Sequence, residues 1–344
     1  MLSGATIRAA GQRLEGEWVV VRAFRPRLSG ISVSVFSALV LSTLSGASFA
    51  ADLLVGMPNW PSGQAGANII KYGIEKELGL KVDVREMGTL TTFAGMDTGE
   101  VDVIPEVWQP NFDAAVKKYV DERKTVRLSP KQVSATQGMC ATRETADKYG
   151  IKDIKDLDDP KKTANLDTDG DGKGEIWIGD QAWSSTSIEK IRAKSYGYAK
   201  TLKLLEMPED VAMAAVDAAT ATNEPIVFYC YTPHHVFELH DIVELTEPAH
   251  DDAKWKIVLP SDDPDWLQKS DAPVAWAPSH FSIGFASKMA ERLPKVASFL
   301  SNIDFSAAEI TDMSYALQVE RQDPGTFAQA WIAKHQDRVN AWAK

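Results

Sequence analysis

The sequence predicts an α/β protein of two lobes with a cleft between them. Short apolar runs that end in loops alternate with segments of helical periodicity, a pattern typical of strands joined by helical crossovers. Large aromatic residues stand just after several of these runs, beside proline or small polar residues. Even without its first 50 residues, the 344-residue chain is long enough for two domains of ordinary size, each with its own core.

The first 50 residues have the pattern of an export signal. Arg22, Arg25 and Arg27 precede an apolar stretch over 31–41 that is too short to span a bilayer, and small residues come directly before Ala51. The mature protein is therefore expected to begin near Ala51 and to be periplasmic. A start codon downstream of the first one and an uncleaved membrane anchor are the alternative interpretations.

Charge and cysteine content narrow the possible functions. The formal net charge of −11 disfavours nucleic acid and anionic lipid as partners, because both would be repelled, and it suits a protein that attracts cations. Cys140 and Cys230 are the only two cysteines. Export permits a disulfide between them, and two small buried thiols are an equally acceptable interpretation.

The first part of the chain alternates strands and helices. Strands are predicted over 52–57, 81–85 and 101–107, and helices over 67–78 and 91–98. The first helix is expected to end at Gly79, and the loop before it contains Trp60. The third strand leads directly into Trp108. Helical connections imply parallel strands, so both indoles would lie at the carboxyl edge of the sheet, where open α/β sheets bind ligands.

The rest of the chain repeats this alternation. Strands are predicted over 175–179, 225–231 and 281–286, and helices over 145–150, 154–157, 187–196 and 210–222, followed by amphipathic helices towards the C-terminus. Ser184, Ser185 and Thr186 fit the N-cap of the helix over 187–196. Trp183 and Tyr231 again stand after strands.

Trp60, Trp108, Trp183 and Tyr231 are the candidate binding residues. A quaternary ammonium group cannot donate a hydrogen bond, so a protein recognises it through shape, dispersion and the negative face of aromatic rings. Four rings that converge on one point would form a cage for such a group. The alternative is that each is an ordinary core aromatic residue.

The order of these residues resembles a known family. Trp108-Gln109-Pro110, the acidic loop 167–173, Trp183 and the segment 228–233 follow one another as in the substrate-binding proteins of glycine betaine ABC importers, and the likeness extends to the ending 331–335. The resemblance implies a type II periplasmic binding protein, in which two α/β lobes joined by a hinge close over a methylated onium solute. It also implies an ABC permease in the inner membrane as partner, a monomeric receptor, no required cofactor and no enzymatic activity.

We expect the first lobe to comprise residues 51–138 and 250–344, and the second lobe residues 139–249. By the same resemblance, Trp108, Trp183 and Tyr231 occupy three cage positions, and Trp60 matches a fourth aromatic residue of related proteins. The backbone N–H groups of Ser184 and Ser185, at a helix N-terminus, would hold the negative or polar tail of the ligand.

One departure from the family concerns the ligand's tail. Phe112 stands where the enteric betaine binder has a histidine that meets the carboxylate. The expected ligand is of the glycine betaine type, and choline, trimethylamine N-oxide and dimethylsulfoniopropionate are the alternatives. His234, close to Tyr231 in the sequence, is a further candidate donor to the polar end.

The acidic loop has the spacing of the first part of a calcium loop. Its candidate ligands are the carboxylates of Asp167, Asp169, Asp171 and Glu175 and the carbonyl of Lys173. Position twelve is Ile178 instead of a bidentate glutamate, so a structural calcium ion completed by water is one interpretation. The other is a polar hairpin in which the aspartates cap their own turn.

Other function classes have weaker support. The sequence contains no nucleophile elbow, P-loop or HExxH motif, so a hydrolase built around Cys140 or His234 is less favoured than a receptor. A calcium-dependent adhesion module would depend on the acidic loop alone. Zinc binding by His234, His235, Glu238 and His240 is disfavoured, because His240 does not share the helical face of His235 and Glu238.

Overall fold

The structure, a computed structural model, describes residues 51–344. The predicted export signal over residues 1–50 lies outside the described residues. No helix within residues 51–344 combines the length and the apolar character that a membrane span requires.

The strands form one mixed sheet in the order β2-β1-β3-β10-β5-β8-β6-β7, with β4 beside β10 and β9 beside β5. The strands are β1 (Leu53–Met57), β2 (Val82–Glu86), β3 (Val103–Gln109), β4 (Val126–Leu128), β5 (Val133–Thr142), β6 (Gly174–Trp177), β7 (Leu202–Leu205), β8 (Val227–Thr232), β9 (Ile242–Glu244) and β10 (Ser279–Ala286). We call β1–β4 with β10 the first sheet half, and β6–β9 the second sheet half.

The expectation of parallel strands is correct at both ends of the sheet and wrong at its centre. β1 pairs in parallel with β2 and β3, and β6 pairs in parallel with β7 and β8. The central strands β5 and β10 run antiparallel to each other and to their outer neighbours. Parallel pairs require crossover connections, whereas β5 follows β4 after a short loop and β10 follows the long segment 245–278.

β5 connects the two sheet halves. Its first residues, Val133–Ala135, pair with β10, and its later residues, Thr136–Ala141, pair with β8. The sequence analysis missed this strand, because it contains Ser, Thr, Gln and Gly and lacks the apolar run of a typical buried strand.

The helices lie between and around these strands. They are α1 (Pro61–Leu78), α2 (Thr89–Thr98), α3 (Asp113–Val116), α4 (Arg143–Tyr149), α5 (Pro160–Thr163), α6 (Ser184–Tyr196), α7 (Glu209–Thr222), α8 (Val236–Leu239), α9 (Trp266–Lys269), α10 (Ser287–Arg292), α11 (Pro294–Asn302), α12 (Ala307–Gln318), α13 (Pro324–Lys334) and α14 (Gln336–Trp342). A π-helical segment spans Lys117–Glu122, and 3₁₀ segments span Ile154–Asp158 and Ala164–Leu166.

Helix α1 begins six residues before its predicted start. Pro61 occupies the first turn, where its missing N–H costs nothing, and Trp60 is the N-cap residue. Gly63 permits this early start, because a Cβ atom there would lie 2.3 Å from the side chain of Pro58 and 2.8 Å from Nε1 of Trp60. Pro61 and Gly63 therefore belong to a helix whose N-cap residue is Trp60.

Helix α6 also begins earlier than predicted. Its first residue is Ser184 and its N-cap is Trp183, so Ser184 and Ser185 lie in the first turn and not at the cap. Trp183 is held in this position by its N–H, which donates to the Asp180 carbonyl at 3.0 Å.

Cys140 and Cys230 form a disulfide, which decides between the two interpretations left open by the sequence. They lie on the neighbouring strands β5 and β8, with a Cα–Cα distance of 5.7 Å and a sequence separation of 90. The bond closes a long loop and therefore restricts the unfolded chain. It also ties the second sheet half to the strand that links it with the first.

Candidate functional site

The four predicted cage residues surround one cavity of about 160 Å³. Trp60 and Trp108 come from the first sheet half, after β1 and within β3. Trp183 and Tyr231 come from the second, at the start of α6 and within β8. The other residues that line the cavity are Pro58, Asn59, Glu86, Met87, Gly88, Thr89, Asn111, Phe112, Gln137, Ala182, Ser184, Ser185 and Tyr229.

The rings contact one another edge to face. Trp108 and Tyr231 have centroids 5.5 Å apart at an interplanar angle of 83°. Trp183 lies 6.2 Å from Tyr231 at 80° and 6.2 Å from Trp60 at 89°. The four rings therefore form a continuous series of perpendicular contacts, an arrangement that presents both faces and edges to the enclosed space.

A buried carboxylate fixes the two indoles of the first sheet half. Oε2 of Glu106 accepts the indole N–H of Trp60 at 2.6 Å and that of Trp108 at 2.8 Å. Glu106 is 2% exposed, and its Oε1 has no hydrogen-bond partner. Burial raises the pKa of Glu106, and the nearby Glu209 adds to the rise.

The sequence analysis missed Glu106, although a signal was present. It is an ionisable residue inside the apolar run of β3, two positions before Trp108. Such residues are rarely buried without a specific partner or purpose.

A second buried carboxylate fixes Tyr231. The hydroxyl of Tyr231 donates to Oε1 of Glu209, and Nε2 of His234 lies 3.0 Å from the same oxygen. Burial raises the pKa of Tyr231 well above its ordinary value, and the charge of Glu209 adds to the effect. His234 is itself buried and is not among the residues that line the cavity. The structure thus places it behind Tyr231.

The neighbouring histidine, His235, contacts a residue of α12. Nδ1 of His235 lies 2.7 Å from the hydroxyl of Ser314 on α12, and burial lowers the pKa of His235 to about 3. His240 pairs instead with Asp217, at 2.6 Å. His234, His235 and His240 therefore each have a different hydrogen-bond partner.

A polar cluster lies on another wall of the cavity. The side-chain amides of Asn111 and Gln137 donate to each other at 2.9 Å, and the hydroxyl of Tyr229 donates to Oε1 of Gln137 at 2.7 Å. Gln137 also donates to the hydroxyl of Ser279 at 2.8 Å. All four residues are buried. Local sequence pattern does not reveal this cluster, since Gln137 and Tyr229 meet only when β5 and β8 pair.

The first turn of α6 supplies Ser184 and Ser185 to the cavity, together with N–H groups that have no partner inside the helix. A fully buried arginine on this helix, Arg192, fixes its position. Arg192 bonds Glu189 at 3.0 Å and Glu247 at 2.6 Å, and the indole of Trp276 donates to Glu189 at 2.6 Å. This network joins α6 to the segment that leads to β10.

Phe112, which replaces the family's histidine, lines the cavity and is 6% exposed. It offers no hydrogen-bond donor to a ligand's tail. Among the described residues that line the cavity, the polar cluster and the first turn of α6 offer amides and hydroxyls, and Asn59, Glu86 and Thr89 add further polar side chains.

The acidic loop brings its carboxylates together away from the cavity. Oxygen atoms of Asp167, Asp169, Asp171 and Glu175 lie within 4.8 Å of one another. Nζ of Lys203 lies among them, 2.8 Å from Asp169, 3.2 Å from Asp171 and 3.8 Å from Glu175. The hydrogen bond from Lys203 lowers the pKa of Asp169. Asp167 accepts the N–H groups of Gly170 and Gly172, as a turn-capping aspartate does.

Comparison with known proteins places this site in context. The model of the family described as the substrate binding domain of ABC-type glycine betaine transport system matches residues 51–334. The glycine betaine/proline betaine-binding periplasmic protein of Salmonella typhimurium is 23% identical over 261 residues, which cover 73% of this chain and 77% of that protein. The glycine betaine-binding periplasmic protein OusX of Dickeya dadantii is 22% identical over 295 residues, covering 80% and 83%.

Solved structures share the fold at low sequence identity. An ABC-transporter choline binding protein in complex with choline has a TM-score of 0.66 and 20% identity, covering 84% of this chain and 90% of that one. Lactococcal OpuAC in its closed-liganded conformation with glycine betaine has a TM-score of 0.63 and 19% identity, covering 85% and 99%. The predicted fold class, two α/β lobes of the periplasmic binding protein type, is confirmed by these likenesses.

Proposed function

We propose, since this chain belongs to the family of substrate-binding domains of ABC-type glycine betaine transport systems, that it is the receptor for a small methylated onium solute. The family is one of transport proteins and not a class of enzymes. The receptor binds its solute in the periplasm and delivers it to an ABC permease in the inner membrane.

The convergence of four rings on one cavity carries this proposal. Trp60, Trp108, Trp183 and Tyr231 surround the cationic methyl groups, and each ring contributes about 0.5 to 2 kcal/mol when water is excluded. The amides and hydroxyls of Ser184 and Ser185 hold the polar tail, with Asn111 and Tyr229 as further partners across the cavity.

We propose a different role for His234 from that of a donor to the polar end of the ligand. Its bond to Glu209 fixes the carboxylate that in turn holds the hydroxyl of Tyr231. We assign it the positioning of a cage ring instead of direct contact with the solute.

The rings come from both sheet halves, so binding favours the arrangement in which the lobes lie together. A ligand shifts such an equilibrium by the difference between its affinities for the closed and open states. The closed, loaded receptor is the form that the permease recognises. We retain lobe boundaries at 138/139 and 249/250 and a monomeric receptor as parts of this proposal.

The acidic loop is a structural element in this account. The repulsion between its carboxylates is reduced by the ammonium group of Lys203, or by a calcium ion in its place, bound by Asp167, Asp169, Asp171, Glu175 and the carbonyl of Lys173. Neither state changes the cavity, because none of these residues lines it.

Isothermal titration calorimetry against glycine betaine, choline, trimethylamine N-oxide and dimethylsulfoniopropionate tests the proposed function. We expect saturable one-site binding of at least one of these compounds, recovered unchanged by mass spectrometry. Glycine, which has the tail of glycine betaine without its methyl groups, serves as the control and should not bind. Absence of binding to the whole panel, or chemical turnover of a bound compound, would contradict the receptor.

A further inference from the structure

The cavity is lined by no positive side chain. Among the described residues that line it there is no Lys, Arg or His, and its one ionisable carboxylate is Glu86, on an exposed part of the wall. A solute that carries a full negative charge on its tail would therefore find no side chain of opposite charge in this cavity.

A buried carboxyl group also lies directly behind the rings. Glu106 holds the indoles of Trp60 and Trp108, and its partners in these bonds are neutral N–H groups, not cations. One of its oxygens is buried without a partner. A carboxyl oxygen that accepts an indole N–H makes the ring more electron-rich, so this arrangement strengthens the attraction of the rings for a cation and not for an anion.

The buried arginine of this region supplies no net positive charge. Arg192 is paired with two carboxylates, Glu189 and Glu247, so the cluster as a whole is negative. The first turn of α6 is the one feature that favours an anion. A helix N-terminus carries about half an elementary charge, which is less than the charge of a single ionised carboxylate.

The polar cluster suits a neutral tail. Asn111, Gln137 and Tyr229 are amides and a hydroxyl that already bond one another, and each can both donate and accept. A hydroxyl group, which also donates and accepts, matches such partners. A carboxylate accepts only, and it would leave the acceptor oxygens of the cluster facing its own.

We propose, on the basis of the receptor function above, that the cavity selects onium solutes of net positive charge with a neutral polar tail over zwitterions that end in a carboxylate. Choline represents the preferred class, and glycine betaine represents the disfavoured one. The two share a trimethylammonium group and a two-carbon tail, and they differ in a terminal hydroxyl against a carboxylate.

Calorimetry of both compounds with the wild-type protein tests this selection directly. We expect choline to bind at least about ten-fold more tightly than glycine betaine. Glu106→Gln should weaken the binding of choline more than the binding of glycine betaine. The ratio of the two affinities should therefore fall. Glu100→Gln makes the same substitution at an exposed position and should leave both affinities unchanged. Glu86→Gln, at the exposed wall, should narrow the preference to a smaller extent and provides a second variant if Glu106→Gln does not fold.

The outcomes separate this inference from the receptor function. Equal affinities, or tighter binding of glycine betaine, would overturn the charge selection while the receptor stands. Binding of neither compound by folded protein would contradict the receptor function itself. A preference for choline that persists unchanged in both Glu106→Gln and Glu86→Gln would overturn the assignment of the selection to these carboxylates.

Discussion

The indole N–H of Trp183 donates a hydrogen bond of 2.8 Å to Oδ1 of Asn59, a residue 124 positions earlier in the chain. Asn59 follows β1 in the first sheet half, and Trp183 caps α6 in the second. Both line the cavity. This bond joins the two walls of the cavity through Trp183, so the proposed closure of the lobes would be coupled to the position of this ring.

Asn59→Ala should loosen the closed, loaded receptor. Loss of one such hydrogen bond costs about 1 kcal/mol, which corresponds to roughly five-fold weaker binding. The effect is expected in the dissociation rate, because the bond forms only when the walls lie together. Stopped-flow tryptophan fluorescence measures this rate. Asn165→Ala, an exposed asparagine of the second half, is the control, and a dissociation rate equal to that of wild type would contradict the coupling.

Arg192→Met should strongly destabilise the protein. The substitution leaves Glu189 and Glu247 buried without their cation, and removal of one partner of a buried pair costs about 3–5 kcal/mol. Lys190→Met on the same helix breaks only a partly exposed pair with Glu206 and should cost less than about 1 kcal/mol. Urea denaturation of both variants measures the free energy of unfolding. Similar losses of stability in the two variants would mean that the buried network does not hold α6.

Local sequence pattern predicted the strands β1, β2, β3, β6, β8 and β10, and it missed the short strands β4, β7 and β9 as well as β5. The apolar run before Trp108 and the periodicity ending at Gly79 each describe one element with its own boundaries, so they could be recognised without knowledge of the fold. β5 could not, because its stability comes from pairing with β10 and β8, which lie far away in the sequence. The antiparallel centre of the sheet escaped prediction for the same reason.

His235 should make the free energy of unfolding depend on pH. Burial holds its folded pKa at about 3, below the ordinary value of 6.5. The unfolded chain takes up a proton as the pH falls below 6.5, and the folded chain does not until about pH 3. Stability from the neutral imidazole is therefore present above pH 6.5 and lost between pH 6.5 and 3. His235→Asn should flatten the free energy of unfolding over that window; profiles parallel to wild type would contradict this assignment.

Lys203→Met should make the protein responsive to calcium. In wild type the lysine ammonium lies among the carboxylates, and about 1 mM calcium should change the melting temperature little. Without the ammonium, repulsion between the carboxylates rises and calcium should raise the melting temperature clearly. Asp169→Asn in the Lys203→Met background should reduce that response. Equal responses of wild type and Lys203→Met would show that Lys203 does not compete with the ion.

The candidate site was predicted in part. The rings were identified because a tryptophan or tyrosine beside proline or serine after a strand is a local signal, present in the sequence itself. The residues that hold the rings in place could not be predicted in this way. Asn59, Glu209 and Gln137 gain their importance from partners in distant segments. Glu106 was the exception, since a charged residue within a buried strand can be seen without any structure.

Calorimetric titration of Trp183→Ala tests the aromatic cage most directly. Its ring contacts both Trp60 and Tyr231, so its removal opens the cavity between the two sheet halves. We predict binding of the preferred onium solute at least about ten-fold weaker than wild type. Trp266→Ala, which removes a tryptophan that does not line the cavity, should bind as wild type does. Affinity in folded Trp183→Ala equal to that of wild type would contradict the cage.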